Sequence, residues 1–284
     1  GFDRPQIFIA EDISCFEQVA CADSNCKISE SAGDHVTDSE NDMLAAVRRQ
    51  MSMTDPLYII YTSGSTGNPK GVMTSHLSLM TYINAYCDVM HIEESDVLGN
   101  RSPLDYIAAI RDIYLPLKTG CSTAIIPKEY FMEPNALFDY MNDKKVSSVG
   151  WSVSAFTILT SLGAFEEVGL KSLRKICFSG SVMPCRVLRK WQENLPEANF
   201  VNQYGPTEAT ASCTYYSVDH TVEDDEVLPI GKAYDNYRVF LIDEHGNEPA
   251  VGEQGEICVC GPILALGYYN DPERTAAAFT LNPL

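Results

Sequence analysis

The chain has 284 residues, 45% of them hydrophobic, and a formal net charge of −19. This is enough apolar material for a sizeable core, while so acidic a surface argues against a general nucleic-acid binder, which must neutralise backbone phosphates. The ten cysteines are scattered, with C-x-C at Cys258 and Cys260 but no C-x-x-C pair and no histidine cluster at ligand spacing. That pattern argues against zinc and against a disulfide framework, and for reduced, mostly buried thiols in the cytoplasm. No apolar run reaches the roughly eighteen residues of a membrane span, and no charged-then-apolar leader is present. The chain begins at Gly1 rather than Met, which reads as an excised piece.

Residues 1–56 carry little signal. "QIFIA" has strand character, and the acidic stretch Ala22–Asp42 reads as loop or partly disordered chain. From there a rhythm of elements follows. "LYIIYT" (57–62) is a β-rich run, and "SHLSLMTYINAYCDVM" (75–90) has helical apolar spacing. "CSTAIIP" (121–127) reads as a strand and "PNALFDYMND" (134–143) as a helix. "VSSVGW" (146–151) and "SAFTILTSL" (154–162) repeat the pair, as do "LRKICFSG" (173–180) and "PCRVLRKWQEN" (184–194), whose proline suits a first helical turn. "NFVNQY" (199–204) is again a strand. Alternating strands and helices predict an α/β fold of mainly parallel sheet flanked by helices over residues 57–220. Over residues 221–284 the paired β-rich runs in "YRVFLIDEHGNEPAVGEQGEICVCG" (237–261) predict a small antiparallel β unit, followed by a terminal helix in "DPERTAAAF" (271–279).

The stretch "YTSGSTGNPKGV" (61–72) concentrates chemistry. Glycines let the backbone approach an anion and adopt positive φ, successive N–H groups can form an anion nest, and Thr62, Ser63, Ser65 and Thr66 add hydroxyls while Lys70 adds a full charge. The spacing of Gly64, Gly67 and Lys70 fits neither G-x-x-x-x-G-K-[ST] nor G-x-G-x-x-G, which excludes a P-loop NTPase. Taken alone, such a stretch reads equally as a flexible surface turn between a strand and a helix.

The string nevertheless resembles the signature loop of the AMP-forming adenylate synthetases: peptide-synthetase adenylation domains, acyl-CoA synthetases, luciferases and D-alanine–carrier-protein ligases. Further phrases follow in the family's order. "ICFSGSVMP" (176–184) resembles the strand and turn that border adenine, and "NQYGPTEAT" (202–210) the second nucleotide motif. "LPIGKAY" (228–234) and "GEICVCGPILALGYYNDPERTAAAF" (255–279) resemble the segments that follow. The resemblance implies a two-step ligase. A carboxylic acid attacks the α-phosphate of ATP to give an acyl-adenylate and pyrophosphate, and a carrier-protein phosphopantetheine or CoA thiol then accepts the acyl group. Mg²⁺ and lysine would supply charge neutralisation in the first step.

By position, the resemblance implies that Thr62, Ser63, Gly64, Ser65, Thr66, Gly67 and Lys70 embrace the β- and γ-phosphates. Tyr204 would stack on adenine, Gly180, Ser181, Asn202 and Gln203 would line the base pocket, Thr207 would meet the α-phosphate or the acid's carboxylate, and Glu208 would hold Mg²⁺. Without the motif, Glu208 would read as a solvated or capping residue and Tyr204 as half-buried packing. His76 reads as a helix-start residue, Trp151 and Trp191 as core, and Arg111 and Asp112 either as a pair or as solvent-facing residues. The acid pocket would be lined by Asp105 or Ile107, with Ser152, Cys177, Ser179, Gln203, Ala211 and Ser212.

Two departures matter. The aspartate with which amino-acid-activating members pair the substrate ammonium falls on Ile107 in an ungapped register, with Asp105 two residues earlier; an unpaired ammonium beside isoleucine would be costly to bury. And the family's ribose-binding aspartate and mobile lysine-bearing domain have no counterpart in these residues. The expectation is therefore part of a large domain, inactive alone. The competing expectation is a non-catalytic nucleotide-binding or interaction module from a degenerate synthetase.

Overall fold

The computed structural model describes residues 38–63, 69–104, 106–235 and 237–282. The chain divides into two units, Gly1–Arg49 and Gln50–Leu284. Helix α1 (Asp38–Gln50) covers the described part of the first, and its last turn carries Arg48 and Arg49, whose charges suit a helix C-terminus. The expected loop over Ala22–Asp42 is therefore helical from Asp38 onward, while "QIFIA" lies outside the described residues.

The second unit opens on a hairpin. Strand β1 (Pro56–Thr62) pairs antiparallel with β2 (Lys70–Ser75), with Thr62 opposite Lys70 at its mouth. The glycine-rich stretch thus joins two strands, not a strand and a helix. Helix α2 (His76–Met90) begins only after β2, where Ser75 caps it by accepting the Ser78 N–H at 3.1 Å. His76 is indeed the first helical residue.

Strands β3 (Val97–Asn100), β4 (Ser122–Ile125), β5 (Ser148–Ser152), β6 (Lys175–Ser179), β7 (Asn199–Tyr204), β8 (Thr214–Val218) and β9 (Lys232–Ala233) build a seven-stranded sheet in the order β4-β3-β5-β6-β7-β8-β9. It is parallel from β4 to β7 and antiparallel from β7 through β9. Helices α3 (Ile107–Thr119), α4 (Pro134–Asp143), α5 (Val153–Ser161) and α6 (Cys185–Asn194) connect the parallel strands.

Alternation along each strand feeds two cores. Trp151, Ile176, Phe178 and Phe200 point into one, with α4, α5 and α6; Cys177 and Val201 point into the other, with α2 and α3. Both tryptophans are core residues. Trp191 stacks edge-on against Phe156 and Phe165, with centroids at 4.8 and 4.9 Å, and its indole donates to Thr160 Oγ1. The Trp151 indole donates to the Gly99 carbonyl at 2.8 Å. Burying each such ring contributes about 1.5–3 kcal/mol or more, provided the N–H finds this kind of partner.

The tail holds the antiparallel pair β10 (Arg238–Ile242) and β11 (Glu256–Cys260). Strand β12 (Gly267–Tyr268) then joins β2 as a third strand. Helix α7 (Pro272–Ala278) follows, capped by Asp271, which accepts the Arg274 N–H at 3.1 Å.

Candidate active site

The carboxyl ends of the parallel strands are where ligands bind in sheets of this kind, and the motif residues gather there. After β7 the chain turns at Gly205. A Cβ at this position would lie 2.4 Å from the Ser212 Cα, so only glycine permits the return strand to pass so close. A short 3₁₀ turn over Thr207–Ala209 follows, and then Thr210 and Ala211 adopt left-handed φ values of 46° and 77°. This strained backbone is held by the Thr210 hydroxyl, which donates to the Ile263 carbonyl at 2.7 Å. Among the described residues nothing hydrogen-bonds the Thr207 side chain, and its hydroxyl is available to a ligand.

Glu208 is the hub. Its carboxylate pairs with Lys70 Nζ, and its Oε1 also accepts the Tyr268 hydroxyl at 2.6 Å. Lys70 in turn donates to Tyr268 Oη at 3.0 Å, and its ammonium lies 4.8 Å from the centroid of the Tyr268 ring. Partial burial pushes the Glu208 carboxyl up, but the bonds from Lys70 and Tyr268 outweigh it and hold the group below the usual carboxylate range. Burial likewise pushes Lys70 down, and Glu208 with Tyr268 reverses that, so its pKa lies above 10.5. Both groups are charged at neutral pH.

The tail segment sews these parts together. Ala265 donates to the Glu208 carbonyl, Leu266 to Met73 and Tyr269 to Gly71, each at 2.8 Å. Ser78 Oγ donates to the Leu264 carbonyl at the same distance.

The remaining sequence-predicted residues fall on two faces of the sheet. Tyr204 is 38% exposed at the end of β7, its ring open to a planar ligand. Gly180 (φ 93°) and Ser181 are exposed in the turn after β6. Asn202 is buried, and its amide donates to the Pro229 carbonyl at 2.9 Å, tying "LPIGKAY" to β7. On the opposite face lie Ser152, Cys177, Ser179 and Gln203, aligned by the parallel register that pairs Ser152 with Ser179. Gln203 is buried with its Nε2 unpartnered, while Ser212 Oγ lies 3.5 Å from Gln203 Oε1 and 3.3 Å from Tyr234 Oη. Ala211 packs beside this cluster, and Ile107 is a buried first residue of α3. Burial pushes the Cys177 thiol up to about 12, which makes it an inert wall, not a nucleophile. Thr62 and Ser63 stand at the hairpin mouth, Thr62 Oγ1 buried without a partner. Gly64, Ser65, Thr66, Gly67 and Asp105 lie outside the described residues.

Residues 7–269 match the family described as AMP-binding enzyme. The chain belongs to that family. It is 34% identical over 226 residues to a D-alanine–D-alanyl carrier protein ligase of Bacillus cytotoxicus, covering 79% of this chain and 45% of the relative. The chain therefore spans about half the length of the curated relatives it matches. Among solved structures, CmiS6 superposes with a TM-score of 0.75 at 30% identity, covering 83% of this chain and 56% of that one. The Vibrio cholerae adenylation domain AlmE, solved with glycyl-adenosine-5′-phosphate, superposes with a TM-score of 0.71 at 26% identity, covering 83% and 45%.

The motif resemblance implies a divalent cation, and Glu208 is the residue that would hold it. No group of three or more His, Cys, Asp or Glu side chains is placed to hold a metal among the described residues. Glu208 instead offers a single carboxylate, whose Oε1 takes the bonds from Lys70 and Tyr268 and which also accepts its own backbone N–H. Mg²⁺ suits that arrangement, since it commonly takes one or two carboxylates plus substrate phosphates. Among the described residues, Tyr268 touches both Lys70 and Glu208 and was not singled out from the sequence. Its signal was faint, because its partners lie 198 and 60 positions away.

Proposed function

We propose that these residues form the nucleotide- and acid-binding part of an ATP-dependent carboxylic acid ligase of the AMP-binding enzyme family. The observation that carries this reading is the convergence of Lys70, from the glycine-rich hairpin, on Glu208 of "YGPTE". In the reaction, an oxygen of the acid's carboxylate forms a bond to the α-phosphorus of ATP. The bond from that phosphorus to the bridging oxygen breaks, and pyrophosphate leaves. Mg²⁺, when bound, supplies Lewis-acid neutralisation of the phosphate oxygens. Lys70 meets the β- and γ-phosphates and offsets their charge, while Thr207 donates its hydroxyl to the α-phosphate or the acid. Glu208 would hold the cation, Tyr204 would stack on adenine, and the loop Thr62–Lys70 would embrace the β- and γ-phosphates. A thiol of a carrier-protein phosphopantetheine arm or of CoA then takes the acyl group and releases AMP.

The acid lies on the sheet face that carries Ser152, Cys177, Ser179, Gln203, Ala211 and Ser212. The closeness of Tyr234 to Ser212 and the tyrosine pair Tyr82–Tyr86 (centroids 6.0 Å apart) support a compact acid, and the Ser and Gln side chains support a partly polar one. Ile107 gives no counter-charge to an ammonium, so the acid either lacks an α-amine or pairs with Asp105. We assign residues 57–220 to the nucleotide-binding core and 221–284 to its β-rich extension, and propose that the 284 residues turn over little or nothing by themselves. Acid-dependent exchange of labelled pyrophosphate into ATP by the longer protein tests the reading. Exchange with a small amino, hydroxy or aryl acid is expected, and no exchange with any acid together with no ATP binding would instead favour a non-catalytic nucleotide-binding module.

A further inference from the structure

Tyr268 touches both charged groups of the site. Its hydroxyl has one proton to give and lone pairs to receive, and both are used: it donates to Glu208 Oε1 and accepts from Lys70 Nζ. Both cation and phenol therefore converge on one carboxylate oxygen, and neither uses Oε2. The ring that carries this hydroxyl is fixed from several sides. Tyr268 pairs with Val72 in the β2 ladder, and its N–H donates to Thr275 Oγ1 at 2.9 Å. Phe279 packs edge-on at 5.6 Å, and the residue is only 7% exposed. Thr275 and Phe279 belong to the helix region that follows β12, and Val72 to the hairpin that carries Lys70. Tyr268 is thus anchored to both sides of the junction, independently of the Glu208 side chain.

We propose that Tyr268 is a positioning residue for the metal: it holds Glu208 by Oε1 and so presents Oε2 to the Mg²⁺ of bound ATP. When the phosphates draw Lys70 away from Glu208, the Tyr268 bond remains and keeps the carboxylate from rotating with the departing ammonium. The lysine and the carboxylate then part toward phosphate and metal without either losing its orientation. The inference rests on the reading that MgATP binds at this junction, and it adds a residue that neither contacts substrate nor ligates the cation.

The test is binding of a fluorescent ATP analogue, N-methylanthraniloyl-ATP, to this chain and to its Tyr268→Phe variant, titrated with Mg²⁺ and also without it. Phenylalanine keeps the ring, its packing on Phe279 and its face toward Lys70, and removes only the hydroxyl. The expected result is a rise of about tenfold in the Mg²⁺ concentration that gives half-maximal enhancement of binding, with metal-free binding unchanged within about twofold. Identical Mg²⁺ curves for the two proteins would overturn the positioning role while leaving nucleotide binding established. Equal loss of metal-free and metal-dependent binding would overturn it in favour of a purely structural role. If the unsubstituted chain binds no nucleotide under either condition, the reading of the site falls, and the role of Tyr268 falls with it.

Discussion

Lys70 and Glu208, 138 positions apart in the chain, form a partly buried ion pair at the mouth of the β1–β2 hairpin. The pair joins the glycine-rich loop to the turn after β7, and its members carry the charges that phosphate and a divalent cation require. Replacing Lys70 by Met or Glu208 by Gln is expected to lower acid-dependent pyrophosphate exchange by about 10²–10³-fold, the usual cost of removing one preorganised charge-stabilising group. Steady-state exchange rates at saturating acid, measured in a longer protein that contains these residues, check this. A loss under about threefold for both variants would place the chemistry elsewhere.

The same pair sets a pH dependence. Glu208 has a folded pKa below its ordinary 4.5, so its contribution to stability is complete above that value and is lost as pH falls through the folded pKa. Lys70 has a folded pKa above 10.5, so its contribution is complete below that value and is lost as pH rises through the folded pKa. Between these limits the pair adds a constant increment. Urea unfolding across the acid range should show the Glu208→Gln variant losing less stability than the unsubstituted chain below pH 4.5; parallel curves would contradict the assignment.

Arg111 and Asp112 resolve one alternative that the sequence left open. They are a buried pair, 4% exposed each, bonded at 2.7 Å, with the guanidinium also donating to the Gly150 carbonyl and lying 5.1 Å from the Tyr86 ring centroid. Asp112→Ala would leave an uncompensated buried cation and should cost about 3–5 kcal/mol in chemical denaturation. Gly150→Ala should also destabilise, because its Cβ would sit 2.2 Å from Arg111 Nη1, a group that cannot retreat while its bonds hold.

Thiol reactivity follows burial. Cys87, Cys121, Cys177, Cys185 and Cys213 are buried, while Cys258 and Cys260 on β11 are partly exposed. Desolvation also pushes the Cys177 and Cys213 thiols up, to about 12 and about 11. Brief alkylation at neutral pH, mapped by mass spectrometry, should mark Cys258 and Cys260 ahead of those five. Labelling of Cys177 at a comparable rate would show that the sheet face proposed to bind the acid is open, contrary to its packed state here.

Much of this was legible because local signals agreed with the fold. The helix over 134–143 begins at a proline suited to its first turn, and the strand over 199–204 is a compact β-rich run closed by "YGP"; both lie where the pattern put them. Strand β2 was not legible, because "KGVMTS" carries a glycine and a lysine and gains its strand character from pairing with β1 and β12. Helix α3 was hidden by the proline Pro116 inside it and by the lack of a capping side chain at Tyr106. The roles proposed for Lys70 and Glu208 come from motif resemblance. That they touch each other, and that Tyr268 joins them, depends on tertiary contacts between distant segments, which no local pattern encodes.

The central claim is that MgATP takes apart the Lys70–Glu208 pair and occupies its place. A crystal structure of the chain with MgATP measures this most directly. The account predicts phosphate oxygens within hydrogen-bonding distance of Lys70 Nζ, the cation on Glu208 Oε2, Tyr268 still bonded to Oε1, and adenine stacked on Tyr204. Nucleotide bound elsewhere, with the Lys70–Glu208 pair intact, would contradict it.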